Sequence, residues 1–145
     1  MFGELVEKVE DIEWFESASK ESIQKLEESL NTTLPKSYKE FLKTYGAGGV
    51  VDEDISGIVE NNPLSLEGGS CYGDTLRARE DFNLPNHLIA IYYHDDEVCW
   101  CLDIKAFKED ECPVVSYDVF NEKVSNKIAN NFRSFFKEYL ELRAE

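Results

Sequence analysis

Residues 19–50, SKESIQKLEESLNTTLPKSYKEFLKTYGAGGV, limit what this chain can become more than any other stretch. They read as two short helices split by a proline and closed by a glycine turn. Ser19 suits an N-cap, because its hydroxyl can accept from a free N–H of the first turn. Ile23, Leu26 and Leu30 follow at helical spacing, and Asn31 can end that helix in a left-handed conformation. Leu34-Pro35 restarts the chain, since proline lacks only an N–H that a first helical turn leaves free. Tyr38, Phe41, Leu42 and Tyr45 form the next stripe, at i, i+3, i+4 and i+7. Gly46 stops it, and Gly48-Gly49 lead into Val50-Val51. None of these residues implies chemistry; the stretch is scaffold.

Around it the period changes. Phe2, Leu5, Val6 and Val9 predict a first helix, with Ile12, Trp14 and Phe15 near its end and acidic residues on a solvated face. Gly49–Val51 and 55–59 read as short strands flanking the acidic turn Asp52-Glu53-Asp54. Asn61-Asn62-Pro63 signals a turn, and Leu64–Leu66 a further extended piece. Asp74 is placed as the cap of a short helix over 75–81. The clearest strands are 88–93 and 98–104, joined by His94-Asp95-Asp96-Glu97. Alternation puts Val98, Trp100, Leu102 and Ile104 on one face of the second strand and Cys99, Cys101 and Asp103 on the other. Pro113–Tyr117 is another strand. Ser125 is placed as the cap of a last helix whose stripe is Ile128, Phe132, Phe135, Phe136, Tyr139 and Leu142. That stripe reads as core closing the domain rather than as a docking face. The expected fold is α+β, with helices at both ends around a mainly antiparallel sheet, in one domain spanning 1–145.

Charge is the strongest global feature. Thirty Asp and Glu against fifteen Lys and Arg give a formal charge of −15. Such a field repels nucleic acid and anionic membrane surfaces and favours basic partners. No apolar run reaches the length of a membrane span, and Met1-Phe2-Gly3-Glu4 lacks the basic start and apolar middle of a signal peptide. The expectation is a cytoplasmic protein, monomeric or weakly dimeric, with Cys71, Cys99, Cys101 and Cys112 as reduced thiols.

No motif for chemistry emerges. Cys99-x-Cys101, with Cys112, Cys71 and His94, supplies zinc-ligand types, but zinc sites present paired ligands on tight turns and this pair lies within a strand. Gly68-Gly69 and Gly73 are not followed by the Lys-Ser/Thr of a phosphate loop. No serine or cysteine sits in a nucleophile motif such as G-x-S-x-G. The expectation is no catalytic residue, no cofactor and no metal.

A helix, then Leu34-Pro35-x-x-Tyr38-x-x-Phe41-Leu42, then Tyr45-Gly46 and Gly49, resembles the opening signature of the SUKH superfamily, the Smi/Knr-like domains. Leu84-Pro85 before a strand, Trp100-Cys101-Leu102-Asp103, Cys112-Pro113-Val114-Val115 and Phe132-Arg133-Ser134-Phe135-Phe136 follow in that family's order. The resemblance covers roughly residues 19–142 and implies the same α+β arrangement. The LPxSYxxFLxxYGAGG run and Glu111-Cys-Pro-Val-Val are similar to a bacterial immunity branch whose toxins carry an LXG export domain; residues 51–84 depart from it. The resemblance implies an immunity protein that binds and neutralises a cognate toxin, expected to be a basic nuclease domain. The alternative is a non-catalytic regulatory scaffold, as in the fungal members. A basic nuclease would meet acidic loops, so Asp52, Glu53, Asp54, Glu60, Asp74, Asp95, Asp96 and Glu97 are the expected contact residues.

Overall fold

A computed structural model describes all of residues 1–145. Helix α2, Lys20–Leu30, begins where expected: Ser19 Oγ accepts from Ser22 N–H at 3.1 Å, and Asn31 ends it at φ 53°. Helix α3, Lys36–Tyr45, follows Pro35, which stands just outside as its cap. Proline has no side-chain acceptor, so the first N–H groups of α3 are met from far along the chain. Lys36 N–H donates to the Asp110 carbonyl (2.8 Å) and Ser37 N–H to the Glu111 carboxylate (3.0 Å).

Tyr38, Phe41 and Leu42 of α3 are fully buried against helix α5, Phe132–Arg143. Phe41 lies 5.3 Å from both Phe132 and Phe136 between ring centroids, and Tyr38 lies 5.0 Å from Phe132 edge-on. Beneath this seam runs an antiparallel meander, β3 (Leu88–His94), β4 (Val98–Asp103), β5 (Val114–Asp118) and β6 (Lys123–Ala129), in that spatial order. Both faces of the meander are covered. Leu102 lies in the larger core, with Val98, Trp100 and Ile104 packed against it. Cys99 and Cys101 turn the other way, into a smaller core with Ala78 of helix α4, Cys71–Phe82. The expected alternation of β4 therefore holds, and so does one core for Trp100 and Phe135, whose centroids stand 6.0 Å apart edge-on.

β3 carries a bulge at Ile91. There the Ala90 N–H donates to Thr75 Oγ of α4 (3.0 Å), and the Ile91 carbonyl accepts from Ser56 N–H (2.7 Å). The bulge thus ties both the second-face helix and the 55–59 segment to the sheet. At the far edge, β6 is exposed from Lys123 to Lys127 and has two register shifts against β5. Lysines and bulges on an edge strand oppose further pairing.

Six local expectations are corrected. The first helix is only α1, Gly3–Val6, and Ile12–Trp14 is strand β1, paired antiparallel with β2, Gly48–Val50. The pairing needs Gly48, which sits at φ 110° and where a Cβ would meet the Glu13 carbonyl of β1; Gly49, at φ 139°, leaves room for the Tyr139 hydroxyl. Segment 55–59 is no strand but a run held by single bridges, Ile55 to Gly48 and Gly57 to Ser70. Leu64 lies in a turn and Ser65-Leu66 join no sheet, with Leu66 68 % exposed. Ser70, not Asp74, caps α4, accepting from Gly73 N–H at 3.3 Å, and Asp74 lies buried in its first turn. Ser125 and Ile128 belong to β6, and Asn131 caps α5 through Ser134 N–H at 2.8 Å. Leu142 is exposed, and Leu140 takes the buried place in the stripe.

Phe135→Ala should destabilise by roughly 3–5 kcal/mol. A double-mutant cycle with Trp100→Ala should return a coupling of about 0.5–1.5 kcal/mol for the edge-on pair. Urea unfolding measures both; strict additivity would separate the two rings energetically.

Candidate partner-binding cleft

Strand β2 runs into the acidic turn 51–54, and Gly48 and Ile55 close that turn with two backbone hydrogen bonds of 3.1 and 2.8 Å. Helix α5 then fixes the turn from outside. The Tyr139 hydroxyl accepts from Val50 N–H and donates to the Glu53 carbonyl, both at 2.8 Å. Arg143 donates to the Glu53 carboxylate at 2.6 and 3.2 Å while lying over the Tyr139 ring at 3.9 Å. Burial pushes the Tyr139 phenol up to about 12, so it remains a donor across the physiological range.

The β3–β4 turn comes to meet this loop. Asp95 and Asp96 both adopt positive φ, 57° and 50°, as a tight hairpin turn requires. His94 Nε2 lies 2.9 Å from the Asp54 carbonyl; a carbonyl only accepts, so this nitrogen carries the proton. The two loops therefore share one cleft of about 570 Å³, walled by Glu13, Asp52, Asp54 and Asp95 and floored by Asp74. No lysine or arginine lines it. Trp14, Phe15 and Val51 supply apolar wall, and Phe15 and Val51 are exposed.

The expected contact residues divide accordingly. Asp52, Asp54 and Asp95 line the cleft. Asp74 reaches it only as a buried floor residue, 1 % exposed, which corrects its placement among surface contacts. Its carboxylate accepts from Ser56 Oγ at 2.5 Å and from Arg77. Glu53 is engaged by Arg143 and lies outside the cleft. Asp96 and Glu97 are exposed on the hairpin turn and Glu60 on the turn at Asn61; none of the three lines it. Glu13 and Phe15 were missed because their segment reads as helix. A three-residue alternation, Ile12-Glu13-Trp14, is too short to reveal a strand.

The electrostatics are those of crowded acids. Burial raises the Asp54 carboxyl above its ordinary value; nearby His94 opposes this, while Asp52 and Glu13 add to it. Burial also raises Asp74, opposed by Ser56 and Arg77. The carboxylates stand around the walls rather than converging: no three His, Cys, Asp or Glu side chains are grouped to hold a metal ion. All four cysteines are buried and free, and burial pushes the Cys71 and Cys112 thiols up to about 12. The geometry suits binding a cationic, partly apolar group.

Two outcomes follow. Tyr139→Phe leaves Val50 N–H without its acceptor and should cost about 1–3 kcal/mol, with faster hydrogen exchange at that amide; unchanged exchange would mean the turn is held by other contacts. Asp74 has a raised folded-state pKa, so its contribution to stability is full below the ordinary carboxylate pKa. That contribution is lost as pH rises through the raised value. Relative to Asp74→Asn, the native chain should therefore lose stability over that interval, read by urea unfolding at a series of pH values. A constant difference would refute the buried-charge cost.

The same architecture occurs elsewhere. A crystal structure of a protein from Pseudomonas syringae pv. tomato superposes with a TM-score of 0.65 at 22% identity, covering 95% of this chain and 98% of that one; it shares the fold. The family model described as SMI1-KNR4 cell-wall, of the SUKH group, matches residues 2–141. The chain belongs to the SMI1-KNR4 (SUKH) family.

Proposed function

We propose that this protein is an immunity protein, a non-catalytic binder that neutralises a cognate toxin by seating a basic, partly apolar element of it in the acidic cleft. The single observation that carries the proposal is the meeting of the 51–54 and 94–97 loops around one cleft lined by acids and no lysine or arginine. Family membership supports a toxin-immunity or related domain. A nuclease is the toxin class that fits best. Its active site must be basic to hold phosphate, and an acidic cleft on a chain of charge −15 both steers the encounter and competes with nucleic acid. Inhibition then requires no chemistry from the inhibitor. No helix of this chain is long and apolar enough to cross a membrane, which accords with action in the cytosol of the producing cell. The family description's cell-wall term favours a second role, a regulatory scaffold, under which no toxin would be bound.

The immunity reading expects a toxin gene beside this one, and co-expression with its product separates the two. The native chain should protect. Asp52→Asn/Asp54→Asn/Asp95→Asn should slow association about tenfold or more, with a weaker salt dependence, because the steering field is reduced. Glu53 is left intact in that variant, since its carboxylate holds Arg143. Full protection by the triple variant, with association that salt does not change, would move the contact surface elsewhere; absence of any toxin binding would favour the scaffold.

A further inference from the structure

A second cleft has the opposite sign. The groove between α2 and α3 measures about 770 Å³ and is lined by Lys20, Lys36, Lys39, Lys43 and Arg133. Those are five of the chain's fifteen Lys and Arg, in a molecule with two acids for every base. Three carboxylates also line the groove, and two of them are committed internally. Glu27 accepts from Leu34 N–H at 2.8 Å and pairs with Lys39 at 3.8 Å. Glu111 accepts from Ser37 N–H at 3.0 Å and from its hydroxyl at 2.7 Å. Lys20, Lys36, Lys43 and Arg133 form no ion pair. Lys36, Lys39 and Lys43 recur at helical spacing, so their charges run along about 10 Å of one face of α3. Glu40, the third groove acid, stands on α3 between Lys36 and Lys43 and forms no ion pair, so five cations face three carboxylates of which two are occupied by backbone or hydroxyl groups, and the groove keeps an excess of positive charge.

We propose that the α2–α3 groove is a second docking surface, holding a short Asp/Glu-rich segment of a partner protein. Charge complementarity selects the occupant. A long polyanion such as nucleic acid would extend past the groove into the field of the −15 surface, which repels it. A short acidic segment is confined to the groove's local field, because charges beyond about 8 Å are screened at physiological salt. Gln24, exposed on the groove wall, offers amide contacts that suit a peptide better than a phosphate chain. No groove residue lines the acidic cleft, so this surface stands or fails independently of the proposed toxin contact.

Fluorescence anisotropy with a fluorescein-labelled octapeptide of alternating Asp and Glu tests it on the full chain at two ionic strengths. Lys20→Glu/Lys36→Glu/Lys43→Glu reverses three exposed, unpaired groove charges. Lys25→Glu/Lys105→Glu/Lys127→Glu makes the same net change at exposed sites outside the groove. The native chain should bind the peptide, the outside variant should bind with similar affinity, and the groove variant at least about tenfold more weakly. Amide shifts in the native chain on adding peptide should concentrate on α2 and α3, a readout that needs no variant. Equal weakening in both variants, shifts spread over the surface, or absence of binding by the native chain would overturn the proposal. So would tighter binding of a labelled oligothymidylate of equal charge, which would make the groove a nucleic-acid site.

Discussion

The aromatic seam between α3 and α5 is the contact on which the rest of the molecule depends. Tyr38 and Phe41 on one helix meet Phe132 and Phe136 on the other at centroid distances of 5.0–5.3 Å. These four rings are among the largest fully buried side chains of the molecule, and edge-on geometry adds to the gain from their burial. The seam also carries polar tips that reach past it. The Tyr38 hydroxyl donates to the Ser56 carbonyl at 2.6 Å, and Tyr139 on the same face of α5 holds the 50–53 backbone. Packing of two helices is thereby converted into placement of a loop. The 51–54 turn has no core of its own, and its position is inherited from rings on α5.

What was legible in the sequence followed the range of the interactions involved. The helix from Ser19 to Asn31 is specified by its own cap, stripe and left-handed terminus, all within a dozen residues, and it forms as read. The β3–β4 hairpin is equally local. Failures occur where a distant partner decides. Ile12–Trp14 continues an amphipathic helix in pattern, yet it becomes a strand because Gly48 offers a backbone it can approach closely. Ser125 has a good capping side chain, but the Asp118 carboxylate organises a turn at 118–121 that folds residues 123–129 back onto β5. The cleft shows the same division. Asp52, Asp54 and Asp95 were recognisable as turn acids, whereas Glu13 required knowledge of a pairing that no nearby residue signals.

Charge on this protein is segregated rather than averaged. Acids crowd the cleft by β1, β2 and the β3–β4 turn, and cations collect in the α2–α3 groove. A surface selected only for solubility would intersperse the two signs, which lowers self-repulsion. Segregation instead leaves like charges facing one another: the Asp54 carboxyl, raised first by burial, is pushed up further by Asp52 and Glu13. Binding energy is gained when a partner of opposite sign relieves that repulsion, so an unfavourable arrangement in the free protein favours the complex.

Asp74 shows how far this goes. A residue 1 % exposed, in a helix turn, would be better served as a neutral acceptor: Ser56 needs only one lone pair, and burial disfavours the charged form. The carboxylate is tolerated because Arg77, itself partly exposed, reaches inward to it and also donates to the Leu66 carbonyl at 3.0 Å. The pair lies where α4, the 55–59 segment and the floor of the cleft meet. Through Ser56 it is joined to Tyr38 and the aromatic seam, since the Ser56 carbonyl accepts from Tyr38 while its hydroxyl donates to Asp74. The carboxyl group beneath the cleft is therefore held by the same hydrogen bonds that join the main core to α4. Moving it would require disturbing the packing, so the floor of the cleft is as rigid as the core beneath it.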